Sequence, residues 1–327
     1  MSQAATYGTP RKLPVWETIT SGAAIGFKHF WILIAVIVVC YGLIGAFFWS
    51  AFGQMFSVLG ELQKIAATST PGDPQVVLEQ QRLFWSAVHP FSFLLLVPVS
   101  IIIGSAMMVL ILRIMALGPA DAFSGGLGQW VYRVLLLIWR HICVVFIVFL
   151  SMIVFGIVCA LGIGIGALLA KALPGVLVGL LGFLFFLAVI VGVVIFYAAM
   201  YAVAGVSFVG SSCDEGITLR EAYAALKGNL LRAAGTNVLL HALLAFVISM
   251  VMMVVVIVMA ATLFGSVVGG GPEAMAQAMM GGSFFITIFA VEFALIVPSI
   301  IWWYGVFVAF YRFAKGVATG SPATAAV

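Results

Sequence analysis

The sequence predicts an all-α fold. It reads as a polytopic membrane protein with six transmembrane helices arranged as three helical hairpins, and with amphipathic helices at the cytoplasmic interface. Three observations predict this. First, 65% of the 327 residues are apolar and only 7% are charged, against roughly 45–50% and 25% in soluble domains. So few charges cannot clothe a water-facing surface, and hydrocarbon must solvate most of the chain. Second, six segments, about 30–52, 91–112, 141–165, 176–204, 238–264 and 284–310, meet the roughly 20 apolar residues that a span needs. Third, the basic residues are segregated. Arg11, Lys12, Lys28, Arg113, Arg133, Arg140, Arg220, Lys227, Arg232, Arg312 and Lys315 fall on one side of these spans, and Lys64, Arg82 and Lys171 on the other. The positive-inside rule then places both termini in the cytoplasm, as an even number of spans also requires.

Residues 1–29 form a cytoplasmic tail and a first interfacial helix, 30–312 the membrane domain, and 313–327 a second cytoplasmic tail. Arg11 and Lys12 precede an apolar run as in a signal peptide, but the run is long enough to span and others follow it, so it is expected to be retained. In span one, Trp31 and Trp49 are separated by about 27 Å of helix, which suits a pair of interfacial aromatic anchors.

The outer connections differ. Between spans one and two, Asp73 and Pro74 have the character of an N-cap and first helical residue, and Val77, Phe84 and Val88 share a helical face. A short external helical pair is expected there, around E61LQK64 and 74–88. The turn between spans three and four is marked by Pro174-Gly175, with Gly162 and Gly166 before it and Gly175 and Gly179 after it. That small-xxx-small spacing would allow close backbone approach. The last outer segment, GSVVGGGPEAMAQAMMGGS, reads as a flexible loop.

The inner segments resemble one another. Each pairs an acid with a later base before an odd-numbered span: Glu17 with Lys28, Asp121 with Arg133, Glu221 with Arg232. In the third, Thr218 and Glu221 have capping-box spacing. Leu219, Ala222, Tyr223, Leu226, Leu230 and Ala233 line one face, with Arg220 and Lys227 on another. This predicts an amphipathic helix in the interface spanning Thr218, Arg220, Glu221, Lys227 and Arg232. VPVSIII at 97–103 and VPSII at 297–301 are echoed by Arg113 and Arg312 further on. Together these matches point to three copies of one unit: interfacial helix, span, outer loop, span.

Few residues carry chemistry. Glu292 stands within the last span, where a charged side chain costs on the order of 3 kcal/mol. Ser299 follows on the same face, and Pro298 leaves the Ala294 carbonyl without its helical partner. Two readings are open: a proton or cation site beside a broken helix, or a neutral, hydrogen-bonded glutamate that locks helices together. Asn237 and His241, one turn apart, are candidates for helix–helix polar contacts. His29, His141 and His241 all stand where an odd span begins, but interfacial histidines are ordinary and no metal site is expected. Trp302, Trp303 and Tyr304 are expected in core packing. Cys40, Cys143, Cys159 and Cys213 show no paired spacing, so neither a disulfide framework nor a zinc site is predicted. No catalytic set and no cofactor motif stands out. G162IGIG166 is glycine-rich but lacks the Walker lysine, and the small, dispersed net charge of +4 gives no nucleic-acid footprint.

The patterns Glu221-Ala222 with Lys227-Gly228-Asn229, Arg113 followed by PADAF, and Pro174-Gly175 resemble a broad group of bacterial multi-span proteins. That group includes the membrane domain attached to some glycerophosphoryl diester phosphodiesterases, and related families of unknown function. The resemblance implies six spans and a bacterial inner-membrane location, and carries no reaction, because the phosphodiesterase activity of such fusions belongs to a separate soluble domain. The expected function is therefore that of a non-enzymatic scaffold, assembly factor or accessory subunit. Its partners would be the lipid bilayer and a protein docked at the cytoplasmic face. The competing expectation is a small transporter or channel using Glu292 and the proline-broken spans two and six.

Overall fold

The computed structural model describes residues 12–68, 74–86, 90–280 and 282–316. Among them every regular element is a helix: α1 (Val15–Phe27), α2 (Phe30–Thr68), α3 (Pro74–Ser86), α4 (Pro90–Leu117), α5 (Gly126–Leu169), α6 (Gly175–Ser212), α7 (Leu219–Leu226), α8 (Leu230–Met280) and α9 (Gly282–Ala314). Six of these, α2, α4, α5, α6, α8 and α9, are long and apolar enough to cross a membrane. Each contains one predicted span. The absence of backbone hydrogen-bond partners in hydrocarbon favours this outcome, although Val, Ile, Phe and Gly, abundant in the spans, are only middling or poor helix formers.

The helices outrun the spans. α2 continues from the predicted end near 52 to Thr68, and α5 begins at Gly126 rather than near 141. The predicted flexible loop at 265–283 is largely helix, because α8 continues to Met280. Its glycines and Pro272 read as breakers, but EAMAQAMM is rich in the best helix formers. The external pair is corrected likewise. E61LQK64 belongs to the end of α2, and α3 starts at Pro74 as expected, while Asp73, Val88 and the side chain of Phe84 lie outside the described residues.

Packing is concentrated at one end of the bundle. Met107–Met115 of α4, Ala202–Ser212 of α6 and Val306–Phe310 of α9 supply most of the buried core, joined by Thr18, Ile19 and Ile25 of α1. This is the end that carries Arg113, Arg133 and Arg312. Beyond it the helices are open: none of the residues in the most apolar 18-residue windows of α5, α6 and α8 is buried. α2 packs with α4 and α5 with α6, but α8 packs more extensively on α6 than on α9. A simple third hairpin therefore does not describe the packing of α8.

α1 lies against α9. Gly305 sits between Gly22 and Gly26, so closely that a Cβ on Gly305 would overlap the Gly22 carbonyl. The Trp302 indole N–H donates to the Ile19 carbonyl at 3.0 Å. The α1 face formed by Thr18, Ile19, Gly22, Ile25 and Gly26 is buried in protein, where the sequence predicted contact with lipid. Close approach was expected instead at the α5–α6 turn. There only Gly162 has a neighbour in the space of a Cβ, the ring of Phe185, while Gly166, Gly175 and Gly179 face open space.

Candidate functional site

The most strongly organised polar group is built where the C-terminal ends of α4 and α6 meet the start of α5. Arg113 and Arg133 are each 1% exposed. An unpaired guanidinium buried this deeply would cost several kcal/mol, so its donors must be matched. Arg113 spends its Nε on the Ala122 carbonyl (2.8 Å) and its Nη1 on the Ser212 carbonyl (2.7 Å) and Asp214 Oδ2 (3.2 Å). Its Nη2 donates to the Asp121 carbonyl and Ser124 Oγ, both at 2.9 Å. Arg133 forms a bidentate fork on Asp214, Nε to Oδ1 at 2.6 Å and Nη2 to Oδ2 at 2.7 Å, and its Nη1 donates to the Ser124 carbonyl at 2.7 Å.

The sequence predicted an interfacial helix opening at Asp121 and paired with Arg133. The structure has turns between Gly118 and Gly125, and α5 begins at Gly126. The Asp121 and Ser124 carbonyls are turned onto the two arginines. The acid that answers both is Asp214, which the sequence reading did not single out. The available signal was C213DEG216, the first charged residues after the long apolar run of α6. Asp214 has a positive φ of 67°, a region that Asp tolerates better than most residues, and this turn aims its carboxylate back at the bundle. Its carboxyl is held below the ordinary carboxylate range, chiefly by the hydrogen bond from Arg133. The same loop binds α9 through Glu215 and Lys315 at 2.8 Å. Burial pushes the neighbouring Cys213 thiol up to about 12, so it carries no thiolate chemistry at neutral pH.

Of the predicted interfacial helix, the capping box is present. The Thr218 N–H donates to Glu221 Oε2 at 2.8 Å and the Glu221 N–H to Thr218 Oγ1 at 3.2 Å. These bonds hold the Glu221 carboxyl below its ordinary value. The helix is shorter than predicted. Gly228, at φ +86°, ends it after Leu226, and Leu230 opens α8. Ala222 and Leu226 are buried, and α7 packs on α6. Arg220, Tyr223 and Lys227 are exposed on its outer side, and Arg232 is exposed at the start of α8. Arg232 donates to the Leu13 carbonyl at 3.3 Å and Asn229 accepts from the Leu13 N–H at 2.8 Å. Lys227-Gly228-Asn229-x-x-Arg232 is thus a seat for the segment that leads into α1.

Asn237 is fully buried and donates from Nδ2 to the Ala198 carbonyl at 2.7 Å, joining α8 to α6. His241 bonds the Asn237 carbonyl within its own helix and meets Trp303 of α9 edge-on, ring centroids 4.5 Å apart. His141 instead stacks on Phe208 at 4.3 Å. His29, outside the spans, is held below its ordinary value by burial and by Lys28. Among the described residues no group of three His, Cys, Asp or Glu side chains could hold a metal ion. Trp302, Trp303 and Tyr304 pack against the core. Pro298 lies inside α9 without breaking it, and Ser299 donates to the Leu295 carbonyl at 2.8 Å, which satisfies its hydroxyl within the helix. The backbone of Glu292 is helical, while its side chain lies outside the described residues.

No protein-family profile, curated protein or solved structure matches the chain.

Proposed function

We propose that the protein is a non-enzymatic scaffold or accessory subunit of a bacterial inner membrane, with the arginine-bearing base and both termini in the cytoplasm. The observation that carries the reading is the division of labour along the helices. Arg113, Arg133, Asp214, Glu215 and Lys315 are spent on holding the helix ends together, whereas the most apolar stretches of α5, α6 and α8 bury nothing. A rigid base with open apolar helices offers lateral surface to lipids and to partner helices. The exposed Arg220, Tyr223 and Lys227 on α7 offer a second, cytoplasmic surface to a protein partner. The segregation of Lys and Arg supports the orientation, and the resemblance to the membrane domain of phosphodiesterase fusions supports the compartment.

The test is isolation from native membranes in a mild detergent, followed by mass spectrometry of what stays bound. A stoichiometric partner that leaves when α7 is altered by Arg220→Glu and Lys227→Glu supports the reading. A transporter is the competing function, favoured by Pro98 and Pro298 inside the otherwise continuous α4 and α9. Proton or ion flux in liposomes that vanishes in Glu292→Gln would replace the scaffold reading with that one.

A further inference from the structure

Among the described residues a few buried side-chain atoms have no hydrogen-bond partner, and two of them, Asn237 Oδ1 and Trp303 Nε1, belong to one cluster. The cluster closes as a ring of contacts. Asn237 of α8, itself 0% exposed, donates from Nδ2 to the Ala198 carbonyl of α6. One turn further along α6, Tyr201 meets Trp303 of α9 with ring centroids 5.8 Å apart. Trp303 in turn meets His241 of α8, and His241 Nδ1 returns to the Asn237 carbonyl at 2.7 Å. Three helices therefore converge on one polar spot.

That spot lies within the apolar spans of α6, α8 and α9. His241 follows Arg232, and Trp303 precedes Arg312, by nine residues each, about 14 Å of helix. In a bilayer this depth falls in the half of the hydrocarbon nearer the arginine-bearing base, where an unpaired polar atom is costly. The free atoms define what would satisfy them. A carbonyl cannot donate, so the bond to Asn237 needs the proton on His241 Nδ1, and the neutral ring then presents Nε2 as an acceptor. Asn237 Oδ1 is a second acceptor, and the Trp303 indole N–H is a donor. A phosphate would face two acceptors with neither lysine nor arginine in the ring to hold it. A cation would face the indole N–H. A hydroxyl both donates and accepts, and it matches the set.

We propose that this ring binds a neutral hydroxyl, carried either by water or by the glycerol of a diacylglycerol from the surrounding lipid. The hydroxyl accepts from the Trp303 N–H and donates to Asn237 Oδ1 or His241 Nε2. The amide oxygen and the indole nitrogen are shielded, whereas Tyr201 and His241 are exposed on the flank of the bundle. The ligand enters from that flank as one of these two rings turns aside. The site goes beyond the scaffold reading and does not depend on it.

The test is nuclear magnetic resonance of the full chain, isotopically labelled at its indole nitrogens, in micelles of a detergent without hydroxyl groups. Each signal is assigned by its loss in a variant: Trp303→Phe for the site, and Trp31→Phe for an exposed control on α2. Dioctanoylglycerol is added to one sample, and the same lipid with its hydroxyl acetylated to another. If lipid supplies the hydroxyl, dioctanoylglycerol moves the Trp303 signal several-fold more than the acetylated lipid does, while Trp31 responds equally to both. If water supplies it, neither lipid moves the Trp303 signal, which instead shows cross-relaxation with water. A Trp303 signal that responds equally to both lipids, or to neither lipid and not to water, would overturn the site.

Discussion

Asp214 grips Arg133 with both carboxylate oxygens, at 2.6 and 2.7 Å, and shares one of them with Arg113 at 3.2 Å. One acid just past the end of α6 thus bridges a pair of guanidiniums delivered by two other helices, and backbone carbonyls and Ser124 take up their remaining donors. The arginines are 1% exposed and the acid 36%, so the arrangement depends on the acid far more than its own surface position implies.

Asp214→Asn tests that dependence. Asparagine tolerates the same positive φ but leaves two buried cations without an anion. Removing one member of a fully buried pair costs about 3–5 kcal/mol. With Asp214 partly exposed we expect on the order of 2–3 kcal/mol, read as a lowered midpoint of thermal unfolding in detergent. Glu215→Gln, which removes the exposed pair with Lys315 and alters the hydrogen bond to Tyr311, should cost less, about 1 kcal/mol. Equal losses from both would contradict the hub.

The pH dependence follows from the same contact. The Asp214 carboxyl is depressed in the folded protein by Arg133. A group with a lowered folded pKa stabilises the fold above its unfolded value, near pH 4, and that contribution is lost as pH falls through the folded value. Unfolding midpoints of the natural chain and of Asp214→Asn should therefore differ at pH 7 and converge below about pH 4. A constant difference across that range would assign the stabilisation to packing alone.

Gly305 should tolerate no side chain. Alanine there drives its Cβ into the Gly22 carbonyl, and overpacking of this kind costs about 1–3 kcal/mol or more where backbone must move. Trp302→Phe removes the bond to Ile19, about 0.5–1.5 kcal/mol, together with part of the ring that packs against the core. Limited proteolysis near α1 should rise strongly in the first variant and modestly in the second. An unchanged digestion pattern for Gly305→Ala would mean that α1 does not dock on α9.

Asn237→Leu should loosen α8 from α6. The lost bond to Ala198 is worth about 0.6–2 kcal/mol by the measure of polar contacts between membrane helices. Double-cysteine distance measurements between α6 and α8 should broaden, whereas those between α5 and α6 should not.

The spans were legible because crossing a bilayer asks only for local composition. Phe30 at the start of α2 and Pro74 at the start of α3 stand where the sequence put them. The capping box at Thr218 and Glu221 was legible for the same reason, since its two partners are three residues apart. What the sequence hid depends on distance along the chain. Arg113 and Arg133 could be seen as charges near span ends, but their common partner Asp214 is set by how α4, α5 and α6 converge. Gly22, Gly26 and Gly305 carry no local sign of one another, whereas the glycines around Pro174 advertised a close approach that only Gly162 makes. The acid–base spacing of the three segments was real as a pattern, yet each segment folds differently: α1 is a helix on α9, 118–125 is a turn, and α7 is a short helix on α6.

The clasp between α1 and α9 also has a consequence for how the chain is made. Ile19 and Trp302 stand 283 positions apart, so α1 leaves the ribosome long before α9 and finds its seat only after α9 has threaded. Until then its glycine-lined face stays bare, and a nascent chain cut short before Gly305 keeps that face open to the proteases that clear unfinished membrane proteins.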